Sequence, residues 1–342
     1  MKRASISDVA HRAGVSTATV SRVLNAPDRV SEKTRERVVA AIAELNFVKS
    51  ATAFSFKVSQ THNILAMVAN IGSIYYSEVF EGMQRKAEEH GYSVIISSTP
   101  PGQKFSEDVT DRLRSGRVDG VIVLDGAEIL QDDYDTLKKI YSGTPPLVGF
   151  SEKRNHLLYP HVLIDNRKAS RIITQQLIDA GHKKIGHITA PPDFAVAGER
   201  EAGFRLALEA AGLTVDDRFI FKGGFHSPSG RQAVREMLKL EDQPTALFCA
   251  NDELAMGAIA ELHEAGIRVP QDFSIVGYDD IVLAEHYVPA LTTMRQPRHD
   301  IGAATMALLL DVMRSPEAGD QRVVEKELHL IVRDSVAPPK NR

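Results

Sequence analysis

Residues 5–45 read SISDVAHRAGVSTATVSRVLNAPDRVSEKTRERVVAAIAEL, and this stretch decides how the N-terminal part of the chain folds. Ser5 precedes Asp8 by three residues. This is the spacing of a capping box, in which the serine oxygen accepts a free N–H and the acid reaches back to the cap. Gly14 then ends the helix, because glycine adopts a positive φ at little cost. The pattern predicts a short helix followed by a tight turn.

A second predicted helix begins at its cap, Ser16, and has two unlike faces. Its inner face carries Val20, Val23 and Leu24. Its outer face carries short hydroxyls, a methyl group and a guanidinium, which can reach base edges and phosphates in a DNA major groove. These residues are Thr17, Ala18, Ser21 and Arg22. Without further context, such a pattern also fits a small helical hairpin that does not bind DNA.

A third helix is predicted from Ser31 onward. Its inward residues would be Val38, Ala41, Ile42 and Leu45, and its outward residues Lys33, Arg35 and Arg37. The stretch thus predicts three short helices that share one small core.

The composition is that of an ordinary globular protein with an uneven charge distribution. The 342 residues are 25% charged and 43% hydrophobic, and the net charge is −4. Residues 1–60 contain ten Lys/Arg and five Asp/Glu, a charge of +5, which leaves −9 on the remainder. A basic N-terminal region on an acidic body suits phosphate contact by that region alone.

Targeting signals and disulfides are not expected. No apolar run reaches membrane-spanning length, and the N-terminus has no signal-peptide pattern. A single cysteine, Cys249, excludes an internal disulfide framework. We therefore expect a cytoplasmic protein.

From residue 63 onward, short apolar runs alternate with amphipathic helical patterns. The runs predicted as strands are 64–69, 92–98, 119–124, 146–150 and 161–165 in a first set, 183–189, 218–223, 245–251 and 273–280 in a second, and a final strand pair near 323–333. Continuous apolar runs separated by helices are typical of parallel sheets covered on both faces. Two such lobes would place a ligand cleft between them, at the carboxyl ends of the strands.

Motifs of common enzymes are missing from the sequence. The chain has no GxSxG, HExxH or P-loop pattern, no cysteine pair for a metal, and twelve histidines without ligand spacing. We therefore expect neither a catalytic site nor a metal or other cofactor. A solute-binding protein or a sugar-modifying enzyme with a similar body is the competing interpretation. The basic N-terminal region and the missing signal peptide argue against both.

Several motifs occur together and in order along the chain. They are DVAHRAGVSTATVSRVLN, VSEKTRERV, TALFCANDELAMGA, FSIVGYDD and LTTMRQP. With these motifs the chain resembles the lactose/galactose repressor (LacI/GalR) family over essentially its whole length, and loosely those members that are similar to the cytidine repressor. The resemblance implies an α/β protein with an N-terminal three-helix helix-turn-helix head and a two-lobed, periplasmic-binding-protein-like core of two parallel sheets. It also implies a transcriptional repressor of carbohydrate or nucleoside metabolism genes, and not an enzyme.

The resemblance divides the chain into four parts. These are a DNA-binding head, 1–48; a hinge, 49–61; a first core subdomain, 62–161 with 292–323; and a second core subdomain, 162–291 with 324–342. It implies a homodimer that binds a pseudo-palindromic operator in double-stranded DNA, each head placing its second helix in a major groove, with no membrane partner. A small effector, a sugar, polyol or nucleoside, would bind between the lobes and control DNA binding allosterically.

The resemblance assigns DNA contacts to the head and the hinge. The head residues are Ser16, Thr17, Ala18, Thr19, Ser21 and Arg22, and the hinge residues are Ala53 and Phe56. Thr17, Ala18 and Arg22 fall where the family reads bases, and the other head residues where it contacts phosphates or caps the helix. A purely structural role stays open for Thr19. Phe56 replaces the leucine wedge that the family inserts into the minor groove, and Lys49 and Ser50 replace its usual proline and asparagine.

The resemblance also assigns an effector site to the cleft. Its residues are Tyr75, Tyr76, Ser151, Arg200, Phe225, Asn251, Asp279 and Gln296. Arg200 would bind hydroxyls or carboxylates through its planar fork, and Phe225 would stack on a ring. Asn251 and Asp279 would bind hydroxyls, although each could instead cap a helix. Arg200 could likewise form a domain ion pair, and Phe225 could belong to the core. A phosphorylated sugar is less supported, because no Gly-rich phosphate cradle appears.

Overall fold

The structure is a computed structural model that describes residues 4–45, 47, 60–98, 105–124, 129–151, 158–318 and 322–340. The chain divides into two compact units. The small N-terminal unit is Met1–Thr61 and the large unit is His62–Arg342.

In the part of the small unit that the structure describes, three α-helices pack together. They are α1, Ile6–Ala13; α2, Thr17–Asn25; and α3, Glu32–Glu44. The predicted capping box is present, since Ser5 Oγ accepts the Asp8 N–H at 3.3 Å and the Asp8 carboxylate accepts the Ser5 N–H at 2.7 Å. Gly14 ends α1 in the left-handed conformation, with a φ of 61°. The shared core consists of Val9, Ala10, Ala13, Val20, Val23, Val38 and Ala41.

One basic side chain predicted to face outward instead joins the helices. Arg37 Nη2 donates to the carbonyl oxygen of Ala13 at 2.5 Å and to that of Gly14 at 3.3 Å. Carbonyls at the end of a helix have no partner within the helix, so a guanidinium there satisfies them. Arg37 therefore ties α3 to the turn that precedes α2.

Ten of the large unit's strands form two parallel sheets. Those of the first sheet are β1, Asn63–Val68; β2, Ser93–Ser98; β3, Gly120–Leu124; β4, Leu147–Ser151; β5, His161–Ile164; and β11, Val323–Lys326. Those of the second are β6, Ile185–Ile188; β7, Ile220–Phe221; β8, Ala246–Cys249; and β9, Ser274–Val276. The strand orders are β11-β5-β4-β3-β1-β2 and β7-β6-β8-β9. Two further strands, β10, Thr293–Arg295, and β12, His329–Ile331, pair antiparallel where the chain passes between the sheets.

Helices cover both sheets and complete two lobes. With the first sheet lie α4, Tyr75–Glu88; α5, Phe105–Arg114; α6, Gln131–Tyr141; and α12, Arg298–Arg314. With the second lie α7, Asn166–Asp179; α8, Ala195–Ala210; α9, Ser227–Met237; α10, Asp252–Glu264; and the short α11, Val282–His286. We call these the first lobe and the second lobe.

Strand burial follows the composition of each strand. Strands β3 and β8, continuous apolar runs, are buried along their whole length. Strand β2 lies at the edge of its sheet and leaves Ile95 and Ile96 exposed. An edge strand with exposed apolar side chains is a surface that proteins usually cover.

Two predicted subdomain boundaries cut through strands. Strands β5 and β11 pair in the first sheet, with His161 beside Val323 and Ile164 beside Lys326. The first lobe therefore extends beyond 161 and 323, because a strand that left the sheet midway would lose its ladder hydrogen bonds. The strands predicted near 323–333 also do not pair with each other, since β11 pairs with β5 and β12 with β10.

Two glycines bring α4 and α12 into backbone contact. A Cβ on Gly82 would lie 2.0 Å from the carbonyl oxygen of His299, and a Cβ on Gly302 would lie 1.9 Å from that of Val79. No side chain larger than a hydrogen fits at either position. The two helices therefore pack as one rigid pair in the first lobe.

Gly302→Ala should lower the free energy of unfolding by about 2 kcal/mol, because the new methyl group overlaps the Val79 carbonyl and forces the helices apart. Helix propensity alone would favour alanine by about 1 kcal/mol, so the sign of the change reports on the contact. Gly198→Ala in α8 is the matched control, since a Cβ there meets no atom within 4 Å. Urea unfolding of the full chain measures both variants. A Gly302→Ala protein as stable as the control would contradict the backbone contact.

Candidate ligand cleft and DNA-reading helix

A cavity opens between the two lobes and encloses about 760 Å³, counting its open mouth. Seven residues of the predicted effector site line it: Tyr75, Tyr76, Arg200, Phe225, Asn251, Asp279 and Gln296. Six lining residues were not predicted: Ala69, Asn70, Ser73, Phe194, Ala195 and Val196. The eighth predicted residue, Ser151, ends β4, and its side chain lies outside the described part of the chain.

Asp279 is the centre of the polar network in the cleft. Its φ is 108°, which non-glycine residues rarely adopt. Its Oδ1 accepts a hydrogen bond from Gln296 Nε2 at 2.7 Å and lies 3.6 Å from Arg200 Nη1. Its backbone N–H donates to the carbonyl oxygen of Met294 at 2.9 Å. The segment that crosses between the lobes therefore fixes the position of this carboxylate.

A chain of hydrogen bonds carries the network from one lobe to the other. Tyr75 of α4 donates its hydroxyl hydrogen to Gln296 Oε1 at 2.8 Å, and Gln296 in turn donates to Asp279. Gln296 is 2% exposed, so both ends of its amide are bonded away from bulk water. A ligand hydroxyl that enters here must replace or extend one of these bonds.

Arg200 balances the charge of this end of the cleft. It is 4% exposed, and its Nε donates to Asn166 Oδ1 at 2.9 Å. Its Nη1 donates to the carbonyl oxygen of Ala250, and its guanidinium carbon lies 3.8 Å from the centre of the Tyr278 ring. The ion pair with Asp279 lies within the second lobe, so the alternative role of Arg200, a domain ion pair, is present while Arg200 also lines the cavity. A buried pair of opposite charges favours a neutral ligand over an ion.

Two aromatic rings of the second lobe also line the cavity. The rings of Phe194 and Phe225 meet edge to face, with centroids 4.8 Å apart. Asn251 Nδ2 donates to the carbonyl oxygen of Phe225 at 2.8 Å, and Asn251 Oδ1 accepts the Leu254 N–H at 2.8 Å. Asn251 thus caps α10, as its alternative interpretation predicted, while it also lines the cavity.

The two adjacent aspartates have different roles. Asp279 does not cap the following helix, α11, which begins without a side-chain cap. Asp280 accepts from Arg295 Nε at 2.6 Å and from Arg333 Nη1 at 2.7 Å. Both Asp280 oxygens are therefore bonded within the protein, and Asp279 is the residue that faces the cavity.

A histidine links the lobes at the mouth of the cleft. Asn70 Oδ1 accepts the Gly72 N–H at 2.9 Å, so Asn70 Nδ2 is the atom that faces His226 Nε2, at 3.2 Å. An amide nitrogen can only donate, so Nε2 accepts and the ring proton sits on Nδ1. That nitrogen lies 3.0 Å from Glu253 Oε2. The sequence offered no signal for this contact, because Asn70 and His226 are far apart along the chain.

The helix predicted to read DNA has the expected exposed face. Thr17, Ala18 and Arg22 are exposed, and Ser21 is half-buried. Ser16 Oγ accepts the Thr19 N–H at 3.2 Å and lies 2.9 Å from Thr19 Oγ1. The structural role left open for Thr19 is therefore present. Ala53 and Phe56, with Lys49 and Ser50, lie outside the described residues.

Family models match both the N-terminal unit and the C-terminal half of the chain. The model of the lacI family of bacterial regulatory proteins matches residues 5–50, and that of the periplasmic binding protein-like domain matches 174–336. The chain is 35% identical to the HTH-type transcriptional repressor PurR of Vibrio vulnificus (strain CMCP6), over 97% of this chain and 98% of PurR. It is also 35% identical to the HTH-type transcriptional repressor CytR of Escherichia coli (strain K12), over 97% of this chain and 96% of CytR.

The chain belongs to the lacI family of bacterial regulatory proteins. It is therefore a DNA-binding transcriptional regulator and not an enzyme. A crystal structure of the lac repressor dimer bound to operator and the anti-inducer ONPF shares its fold, with a TM-score of 0.85 and 27% identity over 98% of this chain and all of that one. Within the described ranges, no helix has the length and apolarity needed to cross a membrane.

Two buried histidines make the stability of this lacI-family core depend on pH. His187 of β6 is fully buried, its ring stacked on Phe204 and Phe248 with centroids 5.3 and 4.6 Å away. Burial lowers the pKa of His187 to about 4, and likewise that of His161 in β5 to about 4. Because both folded pKa values lie below the unfolded value, the stability they contribute is present above pH 6.5 and is lost as the pH falls toward 4.

His187→Gln should reduce the fall in unfolding free energy between pH 6.5 and 4.5. The variant no longer takes up a proton at this position on unfolding. The difference in unfolding free energy between the parent and the variant should change by about 2 kcal/mol over this range. Urea unfolding at several pH values measures it. Equal slopes for parent and His187→Gln would show that His187 is not a buried neutral group.

Proposed function

We propose that this chain is a cytoplasmic repressor of carbohydrate or nucleoside metabolism genes, which binds a pseudo-palindromic operator as a homodimer. A small neutral ligand in the cleft between the lobes controls its affinity for DNA. The observation that carries the proposal is the cleft itself. Residues of both lobes meet there in one hydrogen-bond chain, Tyr75–Gln296–Asp279, that a ligand would enter.

The side chains of the cleft favour a sugar, a polyol or a nucleoside. The Asp279 carboxylate, the Gln296 amide and the Tyr75 hydroxyl can exchange their present bonds for bonds to ligand hydroxyls. The Phe225 ring can lie against a sugar or a base. The charge of Arg200 is matched by Asp279, which disfavours a phosphorylated ligand.

Exposed apolar surface supports the homodimer. Among the apolar side chains that the first lobe exposes are Ile71, Ile74, Ile95 and Ile96, the last two on the edge strand β2. The second lobe exposes Val282, Leu283 and Val288, the last of them 88% exposed. Such surface is typical of protein interfaces. The related lac repressor was crystallised on its operator as a dimer.

The proposed mechanism is a change in the angle between the lobes. A ligand that favours the arrangement with weak DNA binding acts as an inducer, and one that favours the other arrangement acts as a corepressor. A 100-fold difference in ligand affinity between the two arrangements corresponds to about 2.7 kcal/mol of coupling per site.

DNA reading can be tested on duplexes enriched from a random pool with the full-length protein. Arg22→Ala should weaken binding to the enriched duplex by about 10- to 100-fold, because a lost arginine–base contact costs about 1–3 kcal/mol. Arg12→Ala is the control. Arg12 is also a cation of the small unit, but its guanidinium is paired with Glu44 at 2.7 Å, and its loss should cost less than about threefold. Fluorescence anisotropy at two salt concentrations measures both. If no duplex is enriched at low salt, the proposal that this chain is a repressor that binds an operator is wrong.

Ligand binding can be tested by thermal shift of the full chain with cytidine, adenosine, D-ribose and sorbitol. A ligand present at 100 times its Kd should stabilise the protein by about 2.7 kcal/mol. Arg200→Met should weaken binding of the active compound by at least about tenfold, the effect of a lost charged hydrogen bond. Arg205→Met on the same helix, where Arg205 pairs with Glu201 and Asp217, should bind normally. Unchanged affinity in Arg200→Met would exclude Arg200 as a ligand contact.

A further inference from the structure

Arg298 touches both lobes from behind the cleft. It is the first residue of α12 and is 4% exposed. Its Nη2 pairs with Glu78 Oε1 of α4, in the first lobe. Its Nη1 donates to the backbone carbonyl oxygen of Asp279, in the second lobe, at 3.0 Å. One buried guanidinium therefore joins the lobes without lining the cavity.

The pair with Glu78 is not needed to hold the two helices of the first lobe together. The backbone contacts at Gly82 and Gly302 already pack α4 against α12. A buried guanidinium also costs free energy of desolvation, which one partly exposed carboxylate offsets only in part. The contact of Arg298 that helix packing does not account for is its hydrogen bond to Asp279.

Asp279 is a residue whose conformation needs such support. A φ of 108° is costly for an aspartate and persists only when its surroundings enforce it. The carbonyl oxygen of Asp279 accepts from Arg298 and, at 3.3 Å, from the Gln296 N–H. Its carboxylate meanwhile faces the cleft. The carboxylate and the carbonyl belong to one residue, so a ligand that shifts the backbone of Asp279 moves both groups.

Helix α4 is connected to Asp279 by two routes. The first runs through Tyr75 and Gln296 to the carboxylate, and its residues line the cleft. The second runs from Glu78, one helical turn after Tyr75, through Arg298 to the carbonyl. Only the second route can be cut without removing a side chain from the cavity.

We propose that Arg298 is a positioning residue that holds Asp279 in its left-handed conformation and transmits ligand binding at Asp279 to α4 through Glu78. The proposal rests on the proposed function, in which the cleft binds the regulatory ligand. Under this proposal, the affinity for the ligand and the response of DNA binding to the ligand are separate properties of the protein. Loss of Arg298 should uncouple DNA binding from the ligand, while direct ligand contacts are retained.

The first test needs no ligand. Hydrogen exchange of the full-length protein is followed in the segment 277–296, where the Asp279 N–H donates to Met294 and the Gln296 N–H donates to Asp279. Arg298→Met should speed exchange of these amides by at least about tenfold, since it removes the guanidinium that holds the Asp279 carbonyl in place. Glu89→Gln is the control. It removes the exposed pair between Glu89 and Lys86 at the other end of α4 and should leave the segment unchanged. Parent-like exchange in Arg298→Met would overturn the positioning role.

The second test measures coupling as the ratio of duplex affinities without and with the active compound among cytidine, adenosine, D-ribose and sorbitol. A ratio of about 5- to 150-fold is expected for the parent and for Glu89→Gln. In Arg298→Met and in Glu78→Gln the ratio should fall to within about twofold of one, while the compound's Kd rises less than about threefold. A parent-like ratio in Arg298→Met, or a loss that merely follows weaker ligand binding, would overturn the coupling role.

The variant Arg298→Lys tests whether Arg298 transmits ligand binding or only stabilises the fold. Lysine keeps the positive charge beside Glu78, but it lacks the planar fork that reaches two oxygens on opposite sides. This variant should melt at the parent's temperature and still lose the coupling ratio, whereas full coupling would contradict the need for both bonds. Failure of the parent to respond to any of the four compounds would count against the proposed function, and the ligand-free exchange test would still decide the role of Arg298.

Discussion

The conformation of Asp279 is the constraint on which the large unit depends. A left-handed aspartate stores about 1–3 kcal/mol of strain, so its neighbours must hold it. The crossing segment does so from Met294 to Arg298. Asp252 binds the same loop through the Ile281 N–H at 2.9 Å and the Thr293 hydroxyl at 2.6 Å. The cleft's central carboxylate and the connection between the lobes are consequently one structure, and neither can rearrange alone.

Ion pairs surround Asp279 where apolar contacts could also fill the space. They are Arg200 with Asp279, Arg298 with Glu78, and Asp280 with two arginines, and in each pair at least one charged group is largely removed from water. Burial raises the pKa of Asp252 beside them, and the charge of Asp279 raises it further. Such pairs add little net stability, but loss of one partner costs about 3–5 kcal/mol. They define one geometry of the cleft, which is what a binding site requires.

The sequence predicted the features that depend on neighbouring residues and missed the contacts between residues far apart along the chain. The capping box at Ser5, the stop at Gly14 and the apolar strands depend on neighbours along the chain, and the structure has them. The partner of β11 depends on which strand its edge meets, and the apolar pattern carries no such information. Arg37 and His226 were missed because their partners lie far away in sequence. The seven predicted residues that meet in one cavity came from the resemblance to the family, whereas Arg298 does not line that cavity and was not among the residues the resemblance assigned.

The glycine contact between α4 and α12 has a mechanical consequence. Helix α12 has 17 residues and is therefore about 25 Å long. Arg298 sits at one end, and Gly302 fixes the axis one turn further on. Because α4 and α12 pack as one rigid pair, a rotation of the pair by about 5° at the arginine would displace its far end, near Arg314, by about 2 Å over this length. A sub-ångström shift of one carbonyl at the start of α12 would in this way become a larger displacement at the other end of the helix pair.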